Sequence, residues 1–199
     1  MDQRRAAGAV GWAVSVDPAV RLALRAVLSL LMASAAWHKL RDVGAFRAAV
    51  ENYRLLPPVW AVPFAAFAIA AECGIAVALW LPAVGSIAAL GAAALLALYA
   101  LAMMITLQRG RRDVDCGCAG PAHRQSVRPA LVARNGVLIL AAVIAALPAG
   151  DRALTWIDVV TVVVGPAAAA CLYVAVDGLL ANGPRLAALA RLRRPEVPR

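Results

Sequence analysis

Between Ala83 and Leu107 the chain runs 25 residues without a charge. About 20 apolar residues wound as a helix cross roughly 30 Å of hydrocarbon, so this run is long enough to span a bilayer. Four further stretches of similar character occur along the chain. Over its 199 residues, 63% are apolar and 16% charged, where soluble domains average about 45–50% and about 25%. That excess excludes a soluble globular fold, and the same composition excludes disorder, collagen and coiled coil. Four cysteines, two of them inside apolar runs, do not make a disulfide-stapled scaffold. The net charge of +9 does not indicate nucleic acid, because the arginines flank apolar runs and form no aromatic-interleaved stripe.

Residues 1–17 read as an N-terminal tail. The predicted spans are about 18–38, 59–81, 83–107, 130–149 and 157–177, within one domain over 18–178, and 179–199 reads as a basic, surface-bound tail. Pro18 suits the first turn of the first helix, while Arg21 and Arg25 can snorkel to the headgroups. Val43, Phe46, Val50 and Tyr53 recur at 3–4–3 spacing opposite Arg47, Glu51 and Arg54, which predicts an amphipathic helix lying at the interface. Pro82 turns the second span directly into the third as an antiparallel hairpin. Trp37 and Trp60 fall at one interface and Trp80 and Trp156 at the other, as an aromatic belt requires. The fold class is therefore an all-α, polytopic membrane helix bundle with one short interfacial helix.

Five spans put the termini on opposite sides. The side with the first loop, the cysteine loop and the C-terminal tail carries 15 Lys and Arg, and the other side 5. By the positive-inside rule the cysteine loop is cytoplasmic.

The sharpest local signal is Asp115-Cys116-Gly117-Cys118-Ala119-Gly120-Pro121. Two thiols one residue apart, with Gly between them, can close a small strained disulfide, and such disulfides are the exchange-competent ones. Arg109, Arg111, Arg112 and Arg124 would favour the thiolate. Two other readings stand beside this one. Cys116, Cys118 and His123 offer three metal ligands, although a fourth is not evident and structural zinc sites space their cysteines C-x₂₋₄-C. The thiols can also be reduced and inert.

Glu72 interrupts the second span near its middle. An ionisable group at that depth is costly and by default marks function. It reads either as a proton relay or polar pocket wall, or as an interhelical bond that fixes packing, with His38, Lys39 or Arg134 as partner. His38 is a solvated helix end on the ordinary reading and a proton carrier on the functional one. Asn135 is a cap or helix–helix contact, or with Arg134 a ligand contact. Cys73 and Cys171 read as buried apolar filler.

Taken in order, several motifs resemble those of the MauE family, the methylamine-utilisation membrane proteins of the wider DoxX-like group. They are His38-Lys39-Leu40-Arg41-Asp42, Phe46, Asn52-Tyr53-Arg54-Leu55-Leu56-Pro57, Glu72, Arg109-Gly110, Asp115-Cys116-Gly117-Cys118 and Arg134-Asn135. The resemblance covers roughly residues 20–150. It implies a bacterial plasma-membrane protein with a DoxX-like four-helix core plus a fifth span. It further implies a role in maturing the methylamine dehydrogenase small subunit beside MauD, a thioredoxin-like partner outside the cytoplasm. Carried onto this chain, Cys116 and Cys118 are the redox pair, and His38, Glu72 and Asn135 are supporting polar positions. Ala119 departs from the aromatic residue common in the family at that place. The implied chemistry wants the cysteines on the oxidising side, against the charge count.

Two functions follow from different classes. One is a membrane thiol–disulfide oxidoreductase component, with a lipid quinone as cofactor by analogy with four-helix thiol–quinone enzymes. No motif in the sequence demonstrates that quinone. The other is a non-enzymatic scaffold or transport factor for protein maturation, its cysteines structural or metal-binding.

Overall fold

A computed structural model describes residues 15–111 and 128–192. Among these the regular elements are helices: α1 (Pro18–Arg41), α2 (Val43–Tyr53), α3 (Ala61–Ala78), α4 (Gly85–Gln108), α5 (Pro129–Ala146) and α6 (Trp156–Leu192). A single 3-10 turn, Pro58–Trp60, leads into α3. All but α2 are long and apolar enough to cross a membrane, so the chain is the polytopic helix bundle its sequence predicts.

Local chemistry sets the helix ends. The Asp17 carboxylate accepts the Ala19 N–H at 2.9 Å and Pro18 occupies the first turn of α1. Asp42 closes α1 and caps α2, accepting the Ala45 N–H at 2.8 Å. The third span begins at Gly85, two residues later than expected, because the chain is still turning there: Val84 and Gly85 both donate to the Leu81 carbonyl. At the far end of α4, Gly110 adopts φ 73°. Its N–H bonds the Leu107 carbonyl and the Arg111 N–H bonds that of Thr106, which is a Schellman stop. The fifth span, Trp156–Val176, falls where expected, and helix α6 continues beyond it to Leu192.

The bundle packs through small residues. Ala89 and Ala92 of α4 and Ala142 and Ala145 of α5 are fully buried, letting two backbones approach closely where hydrocarbon outside gives little hydrophobic drive to associate. Leu28 and Met32 of α1 pack into the same core. Helix α2 is laid against α3 through Phe46, which meets Ala65, Ala68 and Ile69. Val43, expected on that apolar face, is exposed. Helix α6 packs beside α1 and turns Val159, Val163, Leu172 and Val174 outward, as a lipid-facing surface does. Trp37, Trp60, Trp80 and Trp156 are all more than half exposed, consistent with an aromatic belt.

At the end where α1 begins, three segments are tied together. Val16 donates to the Pro148 carbonyl and accepts from Gly150, both at 2.9 Å. Arg152 bridges Asp17 (2.6 and 3.0 Å) and Asp158 (2.6 and 2.7 Å). The Arg152 hydrogen bond holds the Asp17 carboxyl below its ordinary range, and the same two carboxylates raise Arg152 above its own.

Candidate functional site

The opposite end holds the buried charge. Side chains of a helix lean toward its N-terminus. Because α1 and α3 run antiparallel, Lys39 near the end of α1 leans inward while Glu72 of α3 leans toward it. The two meet as an ion pair through Lys39 Nζ and Glu72 Oε1. Tyr99 of α4 completes the cluster: its O–H donates to Glu72 Oε1 at 2.9 Å and accepts from Lys39 Nζ at 3.1 Å. The Lys39 ammonium also lies 4.7 Å from the ring centroids of Phe46 and Tyr99, within cation–π range. Glu72 is completely buried and Lys39 is 3% exposed.

One acceptor is left over. Glu72 Oε2 is buried and has no hydrogen-bond partner among the described residues. Buried carboxylate oxygens are normally satisfied, so an open one calls for an explanation. Next to the cluster lies a cavity of about 150 Å³ whose lining includes Lys39, Phe46, Tyr53, Leu98, Tyr99 and Met103. Its walls are almost entirely apolar, with Lys39, Tyr53 and Tyr99 the lining residues that carry polar side-chain groups. It sits where α2 meets the last turns of α4, and Arg109 Nη1 donates to the Arg54 carbonyl at 3.2 Å across that junction.

The remaining sequence candidates divide. His38 is exposed, on a different face of α1 from Lys39, and is not part of the cluster. Arg134 does not reach Glu72; its guanidinium lies 5.1 Å from the Tyr173 ring of α6. Asn135 is buried at 3% exposure, one turn beyond Leu131, which packs with Met103. Cys73 and Cys171, expected as buried filler, face outward. Cys116, Cys118 and His123 lie outside the described residues. Sequence reasoning named Lys39 only as one of three partners for Glu72 and missed Tyr99. A lone tyrosine in an uncharged 25-residue run was the available signal.

A family model described as methylamine utilisation protein MauE matches residues 17–148, which takes in α1 through α5. Among similar proteins, the methylamine utilization protein MauE of Methylorubrum extorquens is 41% identical over 130 residues, covering 65% of this chain and 70% of that one. That of Paracoccus denitrificans is 39% identical over 135 residues, 68% of this chain and 72% of the relative. That of Methylophilus methylotrophus is 40% identical over 102 residues, 51% and 54% of the two chains. No solved structure matches. With more than half of its length matched by the family model and its spans arranged as described, the chain belongs to the MauE family and is a multi-pass membrane protein.

Proposed function

We propose that this protein is a thiol–disulfide redox component of a methylamine utilisation system, supporting disulfide formation in an exported protein such as the methylamine dehydrogenase small subunit. Cys116 and Cys118 are its redox pair and a thioredoxin-like protein of the MauD kind is its partner. The observation that carries this reading is the open Glu72 oxygen. A buried Lys39–Tyr99–Glu72 cluster with one spare acceptor, beside an apolar cavity, is a place to take up or hand on a proton. Thiol oxidation needs such a place. Closing the Cys116–Cys118 bond forms one S–S linkage and gives up two electrons and two protons. When that disulfide oxidises the partner, the Cys116–Cys118 bond breaks as an S–S bond forms in the partner, and two electrons and two protons pass from the partner's thiols to Cys116 and Cys118.

The residues around the cavity also fit a lipid quinone. Its walls would meet a flat apolar ring, and Lys39, with one N–H beyond those given to Glu72 and Tyr99, would offer it a donor. When bound, a quinone would supply the two-electron acceptor for the thiols. Lys39 and Tyr99 would orient the ring, and Glu72 would hold a proton at Oε2. His38 and Asn135 are assigned supporting roles at the same end, and Arg134 a role in ligand contact.

The reading sets the cysteine segment on the oxidising side of the plasma membrane, where disulfide exchange is sustained, against the count of basic residues. A membrane-impermeant thiol reagent labels Cys116 and Cys118 in intact cells if this is right, and only after permeabilisation if it is wrong. Complementation with the Cys116→Ser/Cys118→Ser protein tests the function. Loss of maturation supports the redox role, and full complementation assigns the chain to a non-enzymatic scaffold.

A further inference from the structure

A second charged cluster sits at the other end of the bundle, and among the described residues it has no negative partner. Arg21 and Arg25 stand one turn apart on α1 and converge on Ser86 in the first turn of α4. Arg21 Nη2 donates to Ser86 Oγ at 3.2 Å and Arg25 Nη2 to the same oxygen at 3.0 Å. Arg25 Nε reaches the Ala145 carbonyl at 3.3 Å. Among the described residues these three bonds, to two acceptors, are the ones the two guanidinium forks make, and Arg21 Nε is buried with none. Arg25 is only 6% exposed. The carboxylates of Asp17, one turn before Arg21, and of Asp158 are both engaged by Arg152.

Buried guanidinium groups are ordinarily paired with an anion. Here the buried Arg25 and the half-buried Arg21 share one hydroxyl. The chain has made room for this arrangement: a Cβ at Gly85 would come within 2.5 Å of Arg25 Nη1. Both side chains lean toward the N-terminal end of α1, the end marked by exposed Trp80 and Trp156, which is headgroup depth in a bilayer.

We propose that Arg21, Arg25 and Ser86 bind the phosphate of an anionic phospholipid headgroup. Two guanidiniums supply the charge and forked N–H donors that a phosphodiester takes, and the Ser86 hydroxyl adds a further polar contact. The α4 N-terminus beside Ser86 contributes a favourable dipole.

The test compares the purified full-length protein in nanodiscs of phosphatidylglycerol and of phosphatidylcholine, with inorganic phosphate added in detergent as a third arm. Phosphatidylglycerol is expected to raise Tm over phosphatidylcholine by on the order of 3 °C. Native mass spectrometry should find it retained on the protein. Arg21→Gln, which loses one long hydrogen bond and no packed core, should remove most of both effects. Ser86→Ala should weaken them less. Inorganic phosphate that stabilises the protein and displaces the lipid supports the same site with a soluble anion as its source. Equal stabilisation by the two lipids, or a phosphatidylglycerol effect untouched by Arg21→Gln, overturns the proposal.

Discussion

Lys39 and Glu72 form an ion pair in which each side chain is at most 2% exposed, joining the end of α1 to the interior of α3 within membrane-spanning helices. A pair so deep is held by mutual need: either charge left alone would face hydrocarbon uncompensated. Removing one partner should therefore cost far more than removing both. Glu72→Leu alone is expected to destabilise the protein by about 3–5 kcal/mol. Lys39→Met/Glu72→Leu should recover most of that in a thermal melt in detergent. A double variant as unstable as the single one would mean that the pair itself holds α1 to α3.

Tyr99 tests whether the cluster does more than pack. Tyr99→Phe keeps the ring against Lys39 and deletes the O–H that Glu72 Oε1 accepts. The expected stability loss is about 1 kcal/mol, small against the Glu72 variant. Partner-coupled thiol oxidation should fall and its pH profile should shift, because a proton-holding group has lost a donor. Unchanged turnover and profile would reduce the cluster to a structural bond.

Gly85 lies against the Arg25 guanidinium. In Gly85→Ala the new methyl would sit 2.5 Å from Nη1 and 3.1 Å from the Leu79 carbonyl. The arginine fork must shift to make room, which disturbs its bonds to Ala145 and Ser86. Overpacking of this kind costs about 1–3 kcal/mol, read as a lowered melting temperature. Arg25→Ala in the same chain should relieve part of that cost, leaving the Leu79 contact.

The Asp17–Arg152 tie has a pH signature. Asp17 titrates below its ordinary 3.8 because Arg152 is hydrogen-bonded to it. A carboxylate depressed in the folded state contributes stability that is present above its unfolded pKa and is lost as pH falls through the folded value. Arg152→Gln should therefore lower the melting temperature at pH 7, and the gap to the parent should narrow below about pH 3.8. A gap that stays constant between pH 7 and pH 3 would contradict this.

Much of the fold was legible because the bilayer fixes span length and leaves apolar runs little choice. The third span begins late because Pro82-Ala83-Val84 turns before Gly85 can start a helix, a detail hydropathy does not register. The continuation of α6 to Leu192 was missed because Asp177 and the following arginines mark the end of a membrane span, and a helix does not have to stop where a span does. The site was half legible. Glu72 stands out in any reading, since a charge in an apolar run is rare. Its choice of Lys39 over His38 is settled by helix phase, one residue or 100° of rotation. Tyr99 became visible only when α4 was placed beside α1 and α3. The outward positions of Cys73 and Cys171 reflect a bundle whose two surfaces, core and lipid, are equally apolar, so apolarity does not tell a buried cysteine from a lipid-facing one.

Cys116 and Cys118 carry the proposed chemistry. Purified protein is poised in a series of dithiol/disulfide buffers, the remaining free thiols are alkylated, and the peptide holding both cysteines is weighed by mass spectrometry. A redox pair gives a two-hydrogen mass loss at oxidising poise, with Cys116 linked to Cys118 and not to Cys73 or Cys171, reversed at reducing poise in a single two-electron transition. Two cysteines that stay alkylated as free thiols at every poise would contradict it.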